Sequence, residues 1–307
     1  MATPYLKVGS RGSPLALAQA RQVCDRLAET AGVAVGDIEI VVIRTTGDRI
    51  VDRSLAEAGG KGLFTKELDE ALLAGAIDCA IHSAKDLQTF LPAGLVIAGC
   101  PPREDARDAL ICVKAASFAE LPQGARLGSA SPRRQAMALR TRPDLAVGLL
   151  RGNVETRLRK VESGEFDLTL LALAGLKRLG LQDKAAAILN VEEFLPAVGQ
   201  GAIAITARSD DARLAKTLTP MLDVPTGVVL AAERAFLAEL DGSCRTPIGG
   251  HAQLNGARLT FRGATLSLDG RICLETTREG DANDASRLGA DAGRELRARA
   301  PAELLAS

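Results

Sequence analysis

Leu6-Lys7-Val8-Gly9-Ser10-Arg11-Gly12-Ser13-Pro14 reads as a short strand, a Gly-Ser turn and the start of a helix. Ser13 can cap that helix, and Pro14 suits its first position, where a missing N–H costs nothing. Ala16, Ala20, Val23 and Leu27 then share one face, and Gly32 suits the end. The phrase returns at Gly128-Ser129-Ala130-Ser131-Pro132, again after a short strand, at 126–128. The echo predicts two lobes of similar build with a cleft between them. Outward from it, strands are expected at 39–43, 77–81, 109–113, 146–150 and 168–172, with a turn into a strand over 196–205. A helical pattern covers 64–74. Such alternation predicts α/β lobes with mostly parallel sheets, whose ligands sit beyond the C-terminal strand ends. The polar, glycine-rich stretch 44–62 is expected to be a long loop of the lid kind. The stretch 219–226, with two prolines, reads as a linker, followed by a helix to about Leu240. Short alternating strands over 251–276, turning at Asn255-Gly256 and Asp269-Gly270, and a helix over 282–298 predict a small antiparallel α+β end.

Bulk properties narrow the function. At 307 residues the chain exceeds the size at which single cores stop growing, so two or three domains are expected. A formal net charge of zero argues against a general nucleic-acid binder, and 3% aromatic content against base-stacking platforms. The start of the chain lacks the pattern of a signal peptide, and no apolar run reaches membrane-spanning length, so a cytoplasmic protein with no membrane partner is expected. None of the six cysteines forms a CxxC pair, and with two histidines no metal-ligand spacing is visible, so no metal is expected.

One cysteine stands apart. Leu240-Asp241-Gly242-Ser243-Cys244-Arg245-Thr246-Pro247-Ile248-Gly249-Gly250 is a run of turn formers, which places Cys244 in a surface loop. Arg245 beside it favours the nucleophilic thiolate. Arginines also gather where strands turn into helices: Arg11, Arg133, Arg134 and Arg151, with Arg157 and Arg178 on the helical segments that follow. Helix N-termini attract anions, and guanidinium groups bind carboxylate or phosphate bidentately, so the set implies a ligand with many negative groups. The strand at 77–81 delivers His82, Ser83, Lys85 and Asp86 at its end. Asp86 can accept from an N–H or balance a cation, or it can cap a helix. His82 fits a structural or a catalytic role.

These stretches closely resemble the porphobilinogen deaminase (hydroxymethylbilane synthase) family. The match is carried by residues 9–19, Gly-Lys-Gly-Leu-Phe-Thr-Lys-Glu-Leu at 60–68, His-Ser-Ala-Lys-Asp at 82–86 and Ser-Pro-Arg-Arg-Gln at 131–135. Leu-Arg-Gly-Asn-Val-Glu-Thr-Arg-Leu at 150–158, Ala-Gly-Leu-Lys-Arg-Leu-Gly at 174–180, Pro-Ala-Val-Gly-Gln-Gly-Ala at 196–202 and Gly-Ser-Cys-Arg-Thr-Pro-Ile-Gly at 242–249 complete it. The resemblance implies an enzyme that joins four porphobilinogen molecules head to tail, releasing ammonia. It implies a dipyrromethane cofactor held by a thioether to Cys244. Asp86 matches the catalytic aspartate, with Lys85 beside it. Arg11, Ser13, Lys85, Ser129, Arg133, Arg134, Arg151, Arg157 and Arg178 match binders of the acetate and propionate groups of cofactor and substrate, and Ser83 joins them as a substrate-binding candidate. The implied fold is two lobes of the two-crossover periplasmic-binding-protein type (type II) plus a small C-terminal domain, in a monomer. The domains are placed at 1–101 with 202–220, at 102–201 and at 221–307. Each pyrrole carries two carboxylates, which suits the arginines, and loss of ammonia leaves an electrophilic azafulvene that a carboxylate can stabilise. The chain departs from the family pattern at Ala130, at Pro132, and at Ala204 with Thr206, which replace a Gly-Ile-Glu ending. Two other readings fit the residues alone: a solute-binding module, and a cysteine-dependent transferase acting on phosphorylated or carboxylated metabolites.

Overall fold

The computed structural model describes residues 4–49, 62–240, 246–301 and 304. Cys244 and most of the expected loop at 44–62 therefore lie outside the described residues. The chain divides into two compact units, one of Met1–Ile50, Gly60–Glu104 and Ala202–Gly227, the other chiefly of Asp105–Gly201 and Val228–Ser307.

The strands are β1 (Leu6–Ser10), β2 (Ile38–Val42), β3 (Cys79–Ser83), β4 (Leu95–Gly99), β5 (Asp108–Cys112), β6 (Arg126–Gly128) and β7 (Ala146–Gly148). They continue as β8 (Leu168–Ala172), β9 (Ala187–Ile188), β10 (Ile203–Arg208), β11 (Ile248–Asn255), β12 (Arg258–Leu266) and β13 (Cys273–Asp281). The first unit holds a five-stranded sheet in the order β2-β1-β3-β10-β4. β1 is parallel to β2 and β3, whereas β10 is antiparallel to both β3 and β4. The second unit repeats the plan as β7-β6-β8-β5-β9, with β5 the reversed strand.

The two sheets share one build, as the Gly-Ser-Pro echo implies. The expectation of mostly parallel sheets holds for four strands of each, and the one reversed strand makes each sheet mixed. The chain leaves the first sheet after β4, lends β5 to the second and later returns β10 to the first. Each traded strand pairs with both its neighbours in the reverse direction, which is the two-crossover arrangement.

In the first unit, Ser13 caps the helix Pro14–Ala31 by accepting from the Ala16 N–H at 3.3 Å, and Gly32 ends it at φ 67°, a left-handed angle that glycine adopts without Cβ strain. That helix buries Ala20, Val23, Cys24 and Leu27 against Leu6, Val8, Cys79, Ile81, Ile203 and Ile205 of the sheet. The opposite face is covered by Leu68 and Leu72 of the helix Lys66–Leu73. The sheet is thus covered by apolar side chains on both sides.

In the second unit, Leu110, Leu127, Leu168 and Leu170 of the sheet share a core with Ala136, Phe194, Leu195 and Leu266 of β12. The expected α+β end is a three-stranded antiparallel sheet, β11-β12-β13, turning at Gly256 (φ 60°) and Gly270 (φ 72°). It packs with the helices Val224–Glu239 and Ala285–Arg299 around Phe236, Phe261, Leu288 and Leu296. The helices approach so closely that a Cβ on Gly289 would stand 1.9 Å from the Ala232 carbonyl oxygen. The expected linker at 219–226 is instead a 3-10 turn, Thr219–Met221, running into the helix from Val224. Pro225 falls in the helix's first turn, where proline is tolerated.

Candidate active site

Two groups of expected site residues are brought together, one in each unit. In the first unit β1 and β3 lie side by side and run in the same direction. Arg11 follows β1 directly. After β3 a single 3-10 turn, Ala84–Asp86, presents half-buried Lys85 and Asp86. Arg11 Nη1 lies 3.8 Å from Asp86 Oδ2, with side chains 19% and 35% exposed. At that distance the pair is charge-matched but loose, so the carboxylate keeps lone pairs for another donor. The guanidinium also stacks over Phe64, 4.2 Å from the ring centroid. Ser83 Oγ accepts from Gln19 Nε2 at 2.9 Å. Arg11, Ser13, Gln19, Phe64, Ser83 and Asp86 line one shallow depression.

His82 also lines it but belongs to the core. It is 5% exposed, with Nε2 3.0 Å from the Thr206 hydroxyl. Burial, and secondarily the Arg11 charge, push its pKa down to about 4. The unfolded chain binds a proton near pH 6.5, and the folded chain only near pH 4, so the unfolded state holds more protons in between. Stability from this residue is therefore present above pH 6.5 and is lost as pH falls toward 4, by roughly 3 kcal/mol. Asp69 slopes the opposite way, because burial raises its carboxyl to about 6 and the fold then favours the protonated form. Comparing variants isolates the histidine: His82→Gln is expected to lose less melting temperature between pH 7 and pH 5 than the parent chain. Equal losses would show that His82 does not titrate as described.

In the second unit Ser131 caps the helix Pro132–Thr141, which sets Arg133 and Arg134 in the first turn, 4% and 6% exposed. Both point to Asp108, the first residue of β5 and fully buried. Asp108 Oδ1 accepts from Arg134 Nε and Nη2 at 2.9 and 2.8 Å, and Oδ2 accepts from Arg133 Nη2 at 2.8 Å. Ser129 Oγ, in the turn before the helix, accepts from the Ser131 N–H at 3.1 Å.

The remaining expected arginines follow β7 and β8 of the second unit. Arg151 sits half-buried between β7 and the helix Val154–Glu162. On that helix Arg157 donates from Nε to the Gly152 carbonyl at 2.9 Å, and Asn153 supplies the cap. Arg178 ends the helix Leu173–Arg178 and donates to the Gly201 carbonyl at 2.8 Å.

Asp108, Phe64 and Thr206 were not among the expected site residues. A carboxylate opening the otherwise apolar run Asp-Ala-Leu-Ile-Cys was the available signal for Asp108, since a buried charge needs a partner. Glu233 carries the same signal within Val-Val-Leu-Ala-Ala-Glu-Arg-Ala-Phe. It accepts from the Gly199 and Ala252 N–H groups at 2.7 and 2.9 Å and so ties the helix leading toward Cys244 to β11.

The donor set of the first unit suits an anionic pyrrole ligand. Arg11 and the neighbouring hydroxyls can take carboxylates, and Asp86 can accept a pyrrole N–H. Among the described residues no His/Cys/Asp/Glu cluster of metal-binding type is present.

Residues 6–216 match the family described as "Porphobilinogen deaminase, dipyromethane cofactor binding domain". Residues 228–298 match "Porphobilinogen deaminase, C-terminal domain". The chain is 61% identical over 293 residues to a protein named porphobilinogen deaminase in Nitrobacter hamburgensis, covering 95% of this chain and 93% of that one. It is 51% identical over 298 residues to one of the same name in Paracoccus denitrificans, covering 97% and 95%. A solved ABC transporter periplasmic substrate-binding protein from Coxiella burnetii is similar with a TM-score of 0.45 at 15% identity, over 75% of this chain and 96% of that one.

Proposed function

The chain belongs to the porphobilinogen deaminase family, and on that premise we propose how its own residues serve the reaction. The reaction is the stepwise head-to-tail condensation of four porphobilinogen molecules, with release of ammonia, to hydroxymethylbilane. It belongs to tetrapyrrole synthesis and uses a dipyrromethane cofactor. When bound, the cofactor supplies the electron-rich pyrrole carbon to which the first substrate is joined.

Asp86 is the catalytic group. Its carboxylate accepts a pyrrole N–H and stabilises positive charge developing beside it, as fixed charges aimed at a transition state do. The observation that carries this reading is the loose Arg11–Asp86 pair in a pocket of carboxylate-binding groups. Arg11 and Lys85 balance ligand carboxylates. Ser13 and Ser83 add hydroxyl contacts. Cys244 anchors the cofactor through its sulfur, with Ser129, Arg133 and Arg134 holding cofactor carboxylates. Arg151, Arg157 and Arg178 bind the carboxylates of incoming substrate. The three-part division at 1–101 with 202–220, 102–201 and 221–307 belongs to the same reading and is supported by the three separate sheets. The family resemblance supports a cytoplasmic monomer. Among the described residues no helix is long and apolar enough to cross a membrane.

The division of labour among the arginines can be tested directly. Arg157→Leu and Arg178→Leu are expected to carry a full complement of cofactor but to need about tenfold more porphobilinogen for half-maximal turnover, the loss of one charge-assisted contact. Intact mass reports the first quantity and ammonia release the second. Loss of cofactor in both variants would contradict the assignment.

A further inference from the structure

Thr65 stands at the N-cap position of the helix Lys66–Leu73, where a threonine hydroxyl ordinarily accepts from a backbone N–H of the first turn. Here the hydroxyl makes no capping bond. It is turned inward, 1% exposed, where it accepts from Gln88 Nε2 at 3.0 Å and hydrogen-bonds the Asp69 carboxylate. Gln88 Nε2 also donates to Asp69 Oδ2 at 3.3 Å. Asp69 is 3% exposed, and its Oδ1 is buried without a hydrogen-bond partner among the described residues. A helix start without its side-chain cap and a buried oxygen without a donor both cost stability, so local stability does not account for the cluster. Gly62 closes over it: at φ 79°, its backbone lies so near that a Cβ would stand 2.5 Å from Gln88 Nε2.

The cluster joins two parts of the candidate site. On one side is the chain entering the helix, which carries Phe64 against the Arg11 guanidinium. Phe64 is itself seated on Gly47, where a Cβ would stand 2.4 Å from the ring, and the Gly47 N–H donates to the Leu63 carbonyl at 2.7 Å. On the other side is the turn Ala84–Asp86, which ends two residues before Gln88. Arg11 and Asp86 stand 3.8 Å apart, beyond hydrogen-bond distance, so their spacing is set by the elements that carry them.

We propose that Gln88, with Thr65 and Asp69, is a positioning residue that clasps the entry of the helix Lys66–Leu73 to the turn bearing Asp86. The clasp holds the Phe64–Arg11 stack at its working distance from the carboxylate. The inference rests on the reading of Asp86 as the catalytic group. With the clasp open, Arg11 can close on Asp86 as a hydrogen-bonded pair, which takes up lone pairs that a pyrrole N–H would use. The same cations still attract ligand carboxylates, so the loss falls on the reacting step more than on substrate binding. Displacements of this size in a reacting group are costly even when they start away from the chemistry.

The experiment compares the wild type, Gln88→Met, Thr65→Val, Thr65→Ser, the double variant Gln88→Met with Thr65→Val, and Asp86→Asn, each supplied with preassembled cofactor. It reads kcat, KM for porphobilinogen and melting temperature. Gln88→Met keeps the length of the side chain but removes both donated bonds, and is expected to lose about tenfold in kcat with KM within about threefold of the wild type. Thr65→Val should lose kcat in the same direction, and Thr65→Ser, which keeps the hydroxyl, should stay near the wild type. The double variant should be no slower than Gln88→Met, because both changes open one clasp. A cluster that only supports the fold would lower the melting temperature and leave kcat of the folded enzyme unchanged. Wild-type kcat in both Gln88→Met and Thr65→Val while Asp86→Asn is slow, or losses that multiply in the double variant, would overturn the inference. If Gln88→Met does not fold, the contrast between Thr65→Val and Thr65→Ser decides. Near-wild-type turnover in Asp86→Asn would instead remove the catalytic reading, and the inference with it.

Discussion

Asp86→Asn, supplied with preassembled cofactor, is expected to consume porphobilinogen about two to three decades more slowly than the wild type. Both deamination and coupling develop positive charge next to a pyrrole N–H. A carboxylate held by a rigid turn can accept that N–H and offset that charge at once. The amide keeps the shape and one acceptor but not the charge. The position suits the role: Asp86 closes a one-turn 3-10 helix at the end of β3, and its carboxylate stands 3.8 Å from Arg11, beyond hydrogen-bond distance. Asp86→Glu keeps the charge but moves it by one methylene, and is expected to retain slight turnover. Asp86 is partly exposed at the pocket rim, so both variants should melt near the wild-type temperature. Turnover of Asp86→Asn near the wild-type rate would reduce the residue to a helix-start acid with no part in the chemistry.

Cys244→Ser is expected to fold and to carry no cofactor. A hydroxyl is a far poorer nucleophile than a thiolate near neutral pH, and no base is proposed to activate it. The variant should be inactive, and its apo-form should melt below the loaded wild type, because a group held only by the folded state stabilises it. Cys24, Cys79 and Cys100 are buried, and burial raises the Cys24 and Cys273 thiols to about 11. They are poorly placed to take over the linkage. Recovery of the full adduct in Cys244→Ser would nevertheless move the attachment to one of the other cysteines.

Local chemistry was the legible part of this fold. Ser13 caps the helix it was expected to cap, and Pro14 and Pro132 start theirs, because a helix start is settled within four residues. The hairpin turns at Gly256 and Gly270 were legible for the same reason. Strand direction was not. β5 and β10 read as ordinary apolar strands, but their reversal follows from crossovers between distant segments that no short pattern records. The prolines at 220 and 225 do mark the passage between units, after Gly227, but the stretch is ordered as a 3-10 turn and a helix start, since proline punctuates a chain equally well just before and just inside a helix. Within the site, the end of β3 and the arginines at helix starts could be found from spacing. Their partners could not: Asp108 is 25 residues from Arg133, and Thr206 is 124 from His82. Only the folded sheet order brings β10 beside β3 and β5 beside β8.

The account stands most directly on a cofactor built from substrate and carried covalently by the working enzyme. Its test is the intact mass of the active protein under denaturing conditions, before and after one addition of porphobilinogen. The expected result is a mass above that of the bare chain by two pyrrole units at rest, rising in whole single-pyrrole steps once substrate is added. An active protein whose mass equals that of the bare chain at rest would contradict it.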